Sequence, residues 1–151
     1  MNIFRTKNDL ALAVPRLMLG IVFFPHGAQK MLGWFGGGGF HGTMAYFETQ
    51  GIPVIFAFLA IAAEFFGSLG LILGFLSRIA AFGIAVNMLV AIATTHARNG
   101  FFMNWTGHQK GEGFEFHLLV LGIALMVMIA GSGAASLDWV IYKNKSYSPV
   151  S

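Results

Sequence analysis

Four long apolar blocks dominate this sequence and restrict its fold more than any other feature. They cover residues 10–32, 52–76, 79–95 and 116–130 of a chain of 151 residues. A helix needs about 17–25 mostly apolar residues to cross a bilayer, and the fourth block is the shortest of the set. The blocks lack the two-residue alternation of membrane strands and are rich in Leu, Ala, Met and Gly. The sequence therefore predicts an all-α integral membrane protein with an up-down bundle of four helices.

The overall composition supports a bilayer environment. The chain is 56% hydrophobic and 10% charged, which leaves too little polar surface to cover a water-soluble domain of this size. Four spans and their connections occupy the whole length, so we expect one domain over residues 1–151. The nine Lys and Arg residues are scattered around the apolar blocks, which argues against nucleic acid as a partner. Because the chain has no cysteine, a redox role would require an organic cofactor, a haem, or a metal held by His and carboxylate.

The positive charges that flank the blocks predict the orientation. Five lie on one side, namely Arg5, Lys7, Arg78, Lys143 and Lys145, and three on the other, namely Lys30, Arg98 and Lys110. The richer side should be cytoplasmic, which places both termini inside. The first block is too long for the apolar part of a signal peptide and is expected to be retained. The Gly- and Ala-rich helices of the chain could also pack against a second copy of the protein.

Three polar residues lie within the apolar blocks at similar expected depth. Arg16, Glu64 and Asn87 fall on the first, second and third helices. Ionisable groups inside a span cost about 2.5–3.5 kcal/mol each on insertion scales, so they need partners. We predict that Arg16 and Glu64 are paired or share one buried polar network, in the same layer as Asn87. Such a network could fix helix register, or it could relay protons or hold a ligand, and both alternatives remain open.

A second polar cluster is predicted at the outer ends of the helices. Its members are His26, Lys30, His96, Glu115 and His117. A single interfacial histidine is usually just hydrogen-bonded to backbone or water, but three with a carboxylate suggest a ligand site. We expect a common cleft, opened by a kink at Pro25 and covered by a mobile lid over residues 33–50 that contains four consecutive glycines. A Zn or Fe site is a weaker alternative, because Glu115 and His117 cannot point the same way on a helix, and a haem held by two histidines has little support in the sequence.

Several separated motifs resemble one family. They are the first-helix pattern Arg16, Gly20, Phe24, His26, Gly27 and Lys30; Gly33-Trp34-Phe35-Gly36-Gly37; Ala63-Glu64-Phe65-Phe66-Gly67; Asn99-Gly100-Phe101-Phe102; Gly111-Glu112-Gly113-Phe114-Glu115; and Ser136-Leu137-Asp138. In this order and spacing they are similar to those of the DoxX family of small four-helix membrane proteins. The resemblance extends from about Arg16 to Asp138.

The resemblance implies a redox setting and a location in the bacterial inner membrane. Members of the family are similar to membrane subunits of quinone-linked oxidoreductases and terminal oxidases, or are associated with redox-stress proteins. Two hypotheses follow. The chain could belong to a quinone-linked oxidoreductase and bind a quinone or quinol near the outer cluster. Alternatively, it could be a non-catalytic subunit or scaffold that docks a redox or stress-response partner. The residues leave catalysis, electron donor, electron acceptor, oligomeric state and partner open.

Overall fold

The computed structural model describes residues 2–147, and the regular structure of this range is entirely helical. Six α-helices occur in it, and no strand does. They are α1 (Leu10–Leu32), α2 (Gly39–Thr49), α3 (Val54–Leu73), α4 (Ser77–Ala91), α5 (Glu115–Ala130) and α6 (Leu137–Tyr147). The prediction of an all-α protein is confirmed.

Three helical segments are long and apolar enough to cross a membrane. They are Leu10–Leu32, Val54–Leu73 and Ser77–Asn99, the last being α4 with a π-helical turn and a 3-10 turn at its end. Helix α5 is equally apolar in character but has 16 residues. At about 1.5 Å per residue it extends only about 24 Å, less than the roughly 30 Å thickness of a hydrocarbon core.

The four long helices pack around one apolar core. Helix α1 lies along α3, α3 along α4 and α4 along α5, and α5 closes the arrangement by contacting α1. The core joins Leu19 and Phe23 of α1 to Leu71 of α3, Ile84 of α4 and Val120 of α5. We call the end with the first residues and the α3–α4 turn the terminal end, and the end with residues 33–50 and 97–114 the loop end.

Glycine allows α1 and α3 to approach closely. A Cβ atom added at Gly27 would lie 2.6 Å from the Cα atom of Phe65, and one at Gly20 would lie 2.9 Å from a side-chain carbon of Ile72. Real Cβ atoms do not come this close to a neighbouring backbone. The glycines on one stripe of α1 therefore set the spacing between these two helices.

Helix α2 lies where the sequence analysis predicted a mobile lid. Residues 34–36 form a short 3-10 turn, and α2 packs against both α1 and α3, with the rings of Phe40 and Phe58 6.3 Å apart edge to face. The expectation of an open glycine-rich loop is wrong for residues 39–49. Phe40, Met44 and Phe47 recur at spacings of four and three, and this apolar stripe was the missed helical signal.

Helix α6 was not expected either, and it is attached to the α3–α4 turn. The hydroxyl of Ser136 accepts a hydrogen bond from the backbone of Trp139 (3.2 Å) and so caps α6. The buried carboxylate of Asp138 accepts hydrogen bonds from the backbone amides of Leu76 (2.8 Å) and Ser77 (3.0 Å). Because these amides begin α4, the carboxylate satisfies donors that lack partners within the helix.

Candidate functional site

Arg16 is fully buried at the terminal end, and all its polar atoms are bonded to backbone carbonyls. It donates to the carbonyl oxygens of Leu71, Ile72 (3.0 Å), Ser132 (2.6 Å), Ala134 (3.2 Å) and Ala135 (3.2 Å). The acceptors belong to the last turn of α3 and to the segment between α5 and α6. The guanidinium therefore joins three parts of the chain.

Arg16 and Glu64 neither pair nor share a hydrogen-bond partner, so the prediction that they would do one or the other is wrong. The last carbonyls of a helix have no partner within it and carry the negative end of its dipole. The end of α3 can therefore attract a guanidinium in place of a carboxylate. Five planar donors on one side chain satisfy several such carbonyls together. The structure accordingly separates the two charged residues.

Glu64 is instead paired with Lys30, across the closest approach of α1 and α3. The two side chains form the only ion pair among residues 2–147, with side-chain exposures of 9% for Glu64 and 29% for Lys30. Asn87 is bonded separately, its amide donating to the carbonyl of Ala60 at 2.9 Å. The predicted single network is therefore divided, because Arg16, Glu64 and Asn87 each have different partners. Lys30, predicted to belong to the outer cluster, is the partner of Glu64.

We expect replacement of Lys30 by Met to destabilise the protein more than replacement of Glu64 by Gln. The first change leaves a nearly buried carboxylate without a cation, whereas a lone Lys30 can extend its flexible stem to water. The double variant should recover part of the loss, giving a coupling energy of about 1–3 kcal/mol in a double-mutant cycle. Thermal unfolding of the four purified proteins measures this coupling. Additive effects of the two changes would contradict the pair.

His96 and His117 form a contact at the loop end. His96 lies in the π-helical turn after α4, and His117 lies in the first turn of α5. Their ring centroids are 4.1 Å apart, with the planes tilted by 43°. His117 is buried at 6% exposure, and its Nδ1 atom has no hydrogen-bond partner within the described part of the chain.

The hydrogen bonds of His96 fix its tautomer. Its Nδ1 atom lies 2.8 Å from the carbonyl oxygen of Glu112. A carbonyl oxygen only accepts hydrogen bonds, so Nδ1 carries the proton, and in the neutral ring Nε2 is an acceptor. In this pair, His96 is held by a backbone carbonyl, whereas the buried Nδ1 atom of His117 has no hydrogen bond. A buried polar atom without a partner is energetically costly.

Two carboxylates brace the segment of residues 97–114 beside this pair. Glu115 accepts from the backbone amide of Met103 (2.8 Å) and from the indole nitrogen of Trp105 (3.2 Å). The Glu112 carboxylate accepts from the backbone amide of Asn104 (2.6 Å). Glu115, two positions before His117, is therefore engaged in holding the loop. Trp105 remains 84% exposed.

His26 lies apart from the other members of the predicted outer cluster. It is exposed, its ring lies 6.2 Å from that of Phe23, and within residues 2–147 it forms no hydrogen bond with the other four members. At about 100° per residue, position 26 lies about 100° around the helix from Gly27, which packs against α3. The expected cleft of five residues does not form as one site: Lys30 pairs inward, His26 faces outward, and Glu115 binds the loop.

The positions of the cavities and of possible metal ligands agree with the division of the predicted outer cluster. Two cavities lie along the sides of α4 and α5. None of the five residues of the predicted outer cluster lines either of them. No group of three or more His, Cys, Asp or Glu side chains suited to a metal occurs among the residues that the structure describes. The ligand-binding role of the cluster stays a prediction, restricted by geometry to His96 and His117.

Comparison with known proteins gives one family and two relatives. The family model described as DoxX matches residues 11–97. The chain is 30% identical over 137 residues to "Inner membrane protein YqjF" of Escherichia coli (strain K12), covering 90% of this chain and 95% of that protein. It is 29% identical over 136 residues to "Putative oxidoreductase CatD" of Bacillus subtilis (strain 168), covering 90% of each. No solved structure was found to match.

Proposed function

This chain belongs to the DoxX family, and we propose on that basis that it is the membrane component of a redox system that binds a quinone or quinol beside His96 and His117. The relative named as an oxidoreductase supports a redox setting, and the relative named as an inner membrane protein supports a location in the bacterial inner membrane. The three long apolar helices suit the same environment.

The observation that carries the proposal is the unsatisfied Nδ1 atom of His117. A buried polar atom without a partner costs about 1–3 kcal/mol, so it favours any ligand that supplies the missing hydrogen bond. A quinone presents flat apolar rings with carbonyl acceptors, and a quinol presents hydroxyl donors. Either can bond to an imidazole nitrogen, which donates or accepts according to its tautomer.

The two rings also suit proton exchange with such a ligand. Reduction of a quinone takes up protons as well as electrons, and histidine is the side chain whose ordinary pKa allows proton transfer near neutral pH. In the neutral state of His96, Nε2 can accept a proton while Nδ1 stays bonded to the backbone of Glu112. Because the chain has no cysteine that could form a dithiol relay, a redox partner or a bound cofactor would have to supply the electrons.

We further propose that α1, α3, α4 and α5 form a four-helix transmembrane bundle, a single domain over residues 1–151 with both termini cytoplasmic. The larger number of flanking Lys and Arg residues at the terminal end, five against three at the loop end, supports this orientation. Reporter fusions at the two termini should both give the cytoplasmic signal. A periplasmic signal at either terminus would overturn the proposed orientation.

A second candidate function is docking of a protein partner. The loop end presents aromatic side chains on a segment braced by Glu112 and Glu115, with Phe102 66% and Trp105 84% exposed. Rigid exposed aromatic residues are typical anchors of interfaces and also of membrane surfaces. This candidate needs no bound cofactor, and a protein that purifies without quinone together with a redox partner would favour it.

The test of quinone binding compares two histidines at the same end of the protein. Wild type, His117→Ala and His26→Ala would be purified in mild detergent, extracted, and assayed for quinone by absorbance difference spectra and mass spectrometry. We expect quinone with wild type and His26→Ala, and a loss of at least about tenfold with His117→Ala, since one hydrogen bond of about 1.4 kcal/mol is a factor of ten.

Two outcomes would overturn the proposal. One is the absence of quinone from wild-type protein, including after addition of a soluble quinone analogue. The other is an equal quinone content in the two histidine variants, which would show that any bound quinone lies elsewhere. Elution volume in size-exclusion chromatography serves as the folding control for both variants.

A further inference from the structure

Arg78 carries a positive charge that no carboxylate in the described range balances. It lies in the first turn of α4 and donates to the carbonyl oxygens of Met128, Ile129 (2.9 Å) and Arg5 (2.8 Å). Its Nε atom is buried without a partner, and the only ion pair within residues 2–147 is the one between Lys30 and Glu64. Nearby Asp138 is turned toward the backbone amides of Leu76 and Ser77. The guanidinium is thus held in place by neutral backbone groups rather than by a carboxylate.

An apolar groove begins at this arginine and follows α4 and α5. A cavity of about 300 Å³ is lined by Arg78 together with Ile3, Ile79, Phe82 and Met128. A second cavity, of about 270 Å³, is lined by side chains of α4 and α5 alone and shares Phe82 and Met128 with the first. Because the two cavities share these two walls, they are adjacent along α4 and α5, and we call them together the Arg78 groove.

The length of the Arg78 groove matches one leaflet of a bilayer. It extends along α4 from Arg78 to Leu89, which is 11 residues or about 16 Å at 1.5 Å per residue. A hydrocarbon core is about 30 Å thick, so each leaflet contributes about 15 Å. A charged group at one end of an apolar groove of this length corresponds to the head group and acyl chain of a single lipid.

We propose that the Arg78 groove binds an anionic phospholipid, with its phosphate on Arg78 and one acyl chain between α4 and α5. Guanidinium groups bind phosphate strongly, and basic sites between membrane helices are known to select anionic lipids. Arg5, exposed on the segment whose carbonyl bonds to Arg78, adds a second cation near the head group. A second copy of the chain fits less well, because it would bury the unbalanced guanidinium against apolar surface. Lipid binding in the Arg78 groove does not depend on quinone binding at His96 and His117.

The first test measures head-group selectivity. Detergent-purified protein would be titrated with phosphatidylglycerol or phosphatidylcholine of identical acyl chains, and bound lipid counted by native mass spectrometry. We expect wild type to bind phosphatidylglycerol about fivefold more tightly, the factor that corresponds to about 1 kcal/mol per interfacial cation. Arg78→Gln should remove most of the preference, with Arg5 retaining the rest, and Arg78→Lys should retain it. Lys7→Gln, which removes an exposed cation that lines neither cavity, should also retain it.

The second test blocks the apolar part and remains informative if Arg78→Gln fails to fold. Val86 lines the groove, whereas Val90, one helical turn further along α4, does not. Val86→Trp should reduce binding of both lipids at least threefold relative to Val90→Trp. Equal binding of the two lipids to wild type, or equal effects of the two Trp variants, would overturn the proposal. A dimer that is lost in Val86→Trp, without bound lipid in wild type, would assign the groove to self-association instead.

Discussion

Replacement of Arg16 by Leu is expected to abolish accumulation of folded protein. The change leaves five backbone carbonyl oxygens without their donor, at the end of α3 and between α5 and α6. Each buried acceptor left unsatisfied costs about 1–3 kcal/mol, so the total should exceed about 4 kcal/mol even if part of the segment relaxes or admits water. Folded yield by size-exclusion chromatography in detergent, followed by thermal unfolding, measures the loss.

The matched control is Arg98→Leu, which removes a cation from an exposed position at the loop end. It should leave the free energy of unfolding within about 0.5 kcal/mol of wild type. Arg16→Lys should rescue little, because an ammonium group has three donors on a compact head and cannot reach five carbonyls in a plane. Wild-type stability of the Arg16→Leu variant would show that these hydrogen bonds are replaced without cost.

The second large effect is expected from Gly27→Ala, although it adds only one methyl group. The new Cβ would lie 2.6–2.7 Å from the backbone of Glu64 and Phe65, where no flexible side chain can move away. Helices α1 and α3 must therefore separate, which loosens their packing and stretches the contact between Lys30 and Glu64. We expect a loss of about 3 kcal/mol or more, at the upper end of what overpacking costs.

Gly122→Ala provides the matched control within the same protein. Gly122 lies inside α5, is exposed, and has no atom within 4 Å of an added Cβ. Because alanine is the better helix former, this variant should be as stable as wild type or gain up to about 1 kcal/mol. Similar destabilisation by Gly27→Ala and Gly122→Ala would contradict this prediction, because it would show that the close approach of α1 and α3 at Gly27 is not the cause of the loss.

Length and hydropathy determined the helical class and the position of the apolar segments. The four apolar blocks could be located without coordinates, because a long apolar run is stable only as a helix buried in lipid or protein. Helix α1 occupies Leu10–Leu32, the range read from the sequence. The two shorter helices were missed, since α2 and α6 are amphipathic and their signals are a weak stripe and a Ser cap rather than a long apolar run.

The partners of the polar residues were decided by the tertiary structure. Sequence placed Arg16, Glu64 and Asn87 in one layer, because depth along each helix can be counted at a fixed rise per residue. It could not show that free carbonyls at the end of α3 would bind Arg16, or that the close approach at Gly27 would bring Lys30 to Glu64. The carbonyls are backbone groups present at every residue, so no side-chain pattern identifies the ones that will lack a partner.

The candidate site shows the same division between what is counted along the chain and what depends on packing. Alternating helices predicted that His26, His96 and His117 lie near one end, but rotation of α1 about its own axis turns His26 outward. Likewise, the lengths of α4 and α5 followed from the sequence, whereas the groove between them exists only because side chains of two distant segments leave space beside Arg78. Composition determines that a helix enters the membrane, and packing determines which of its faces meets protein, ligand or lipid.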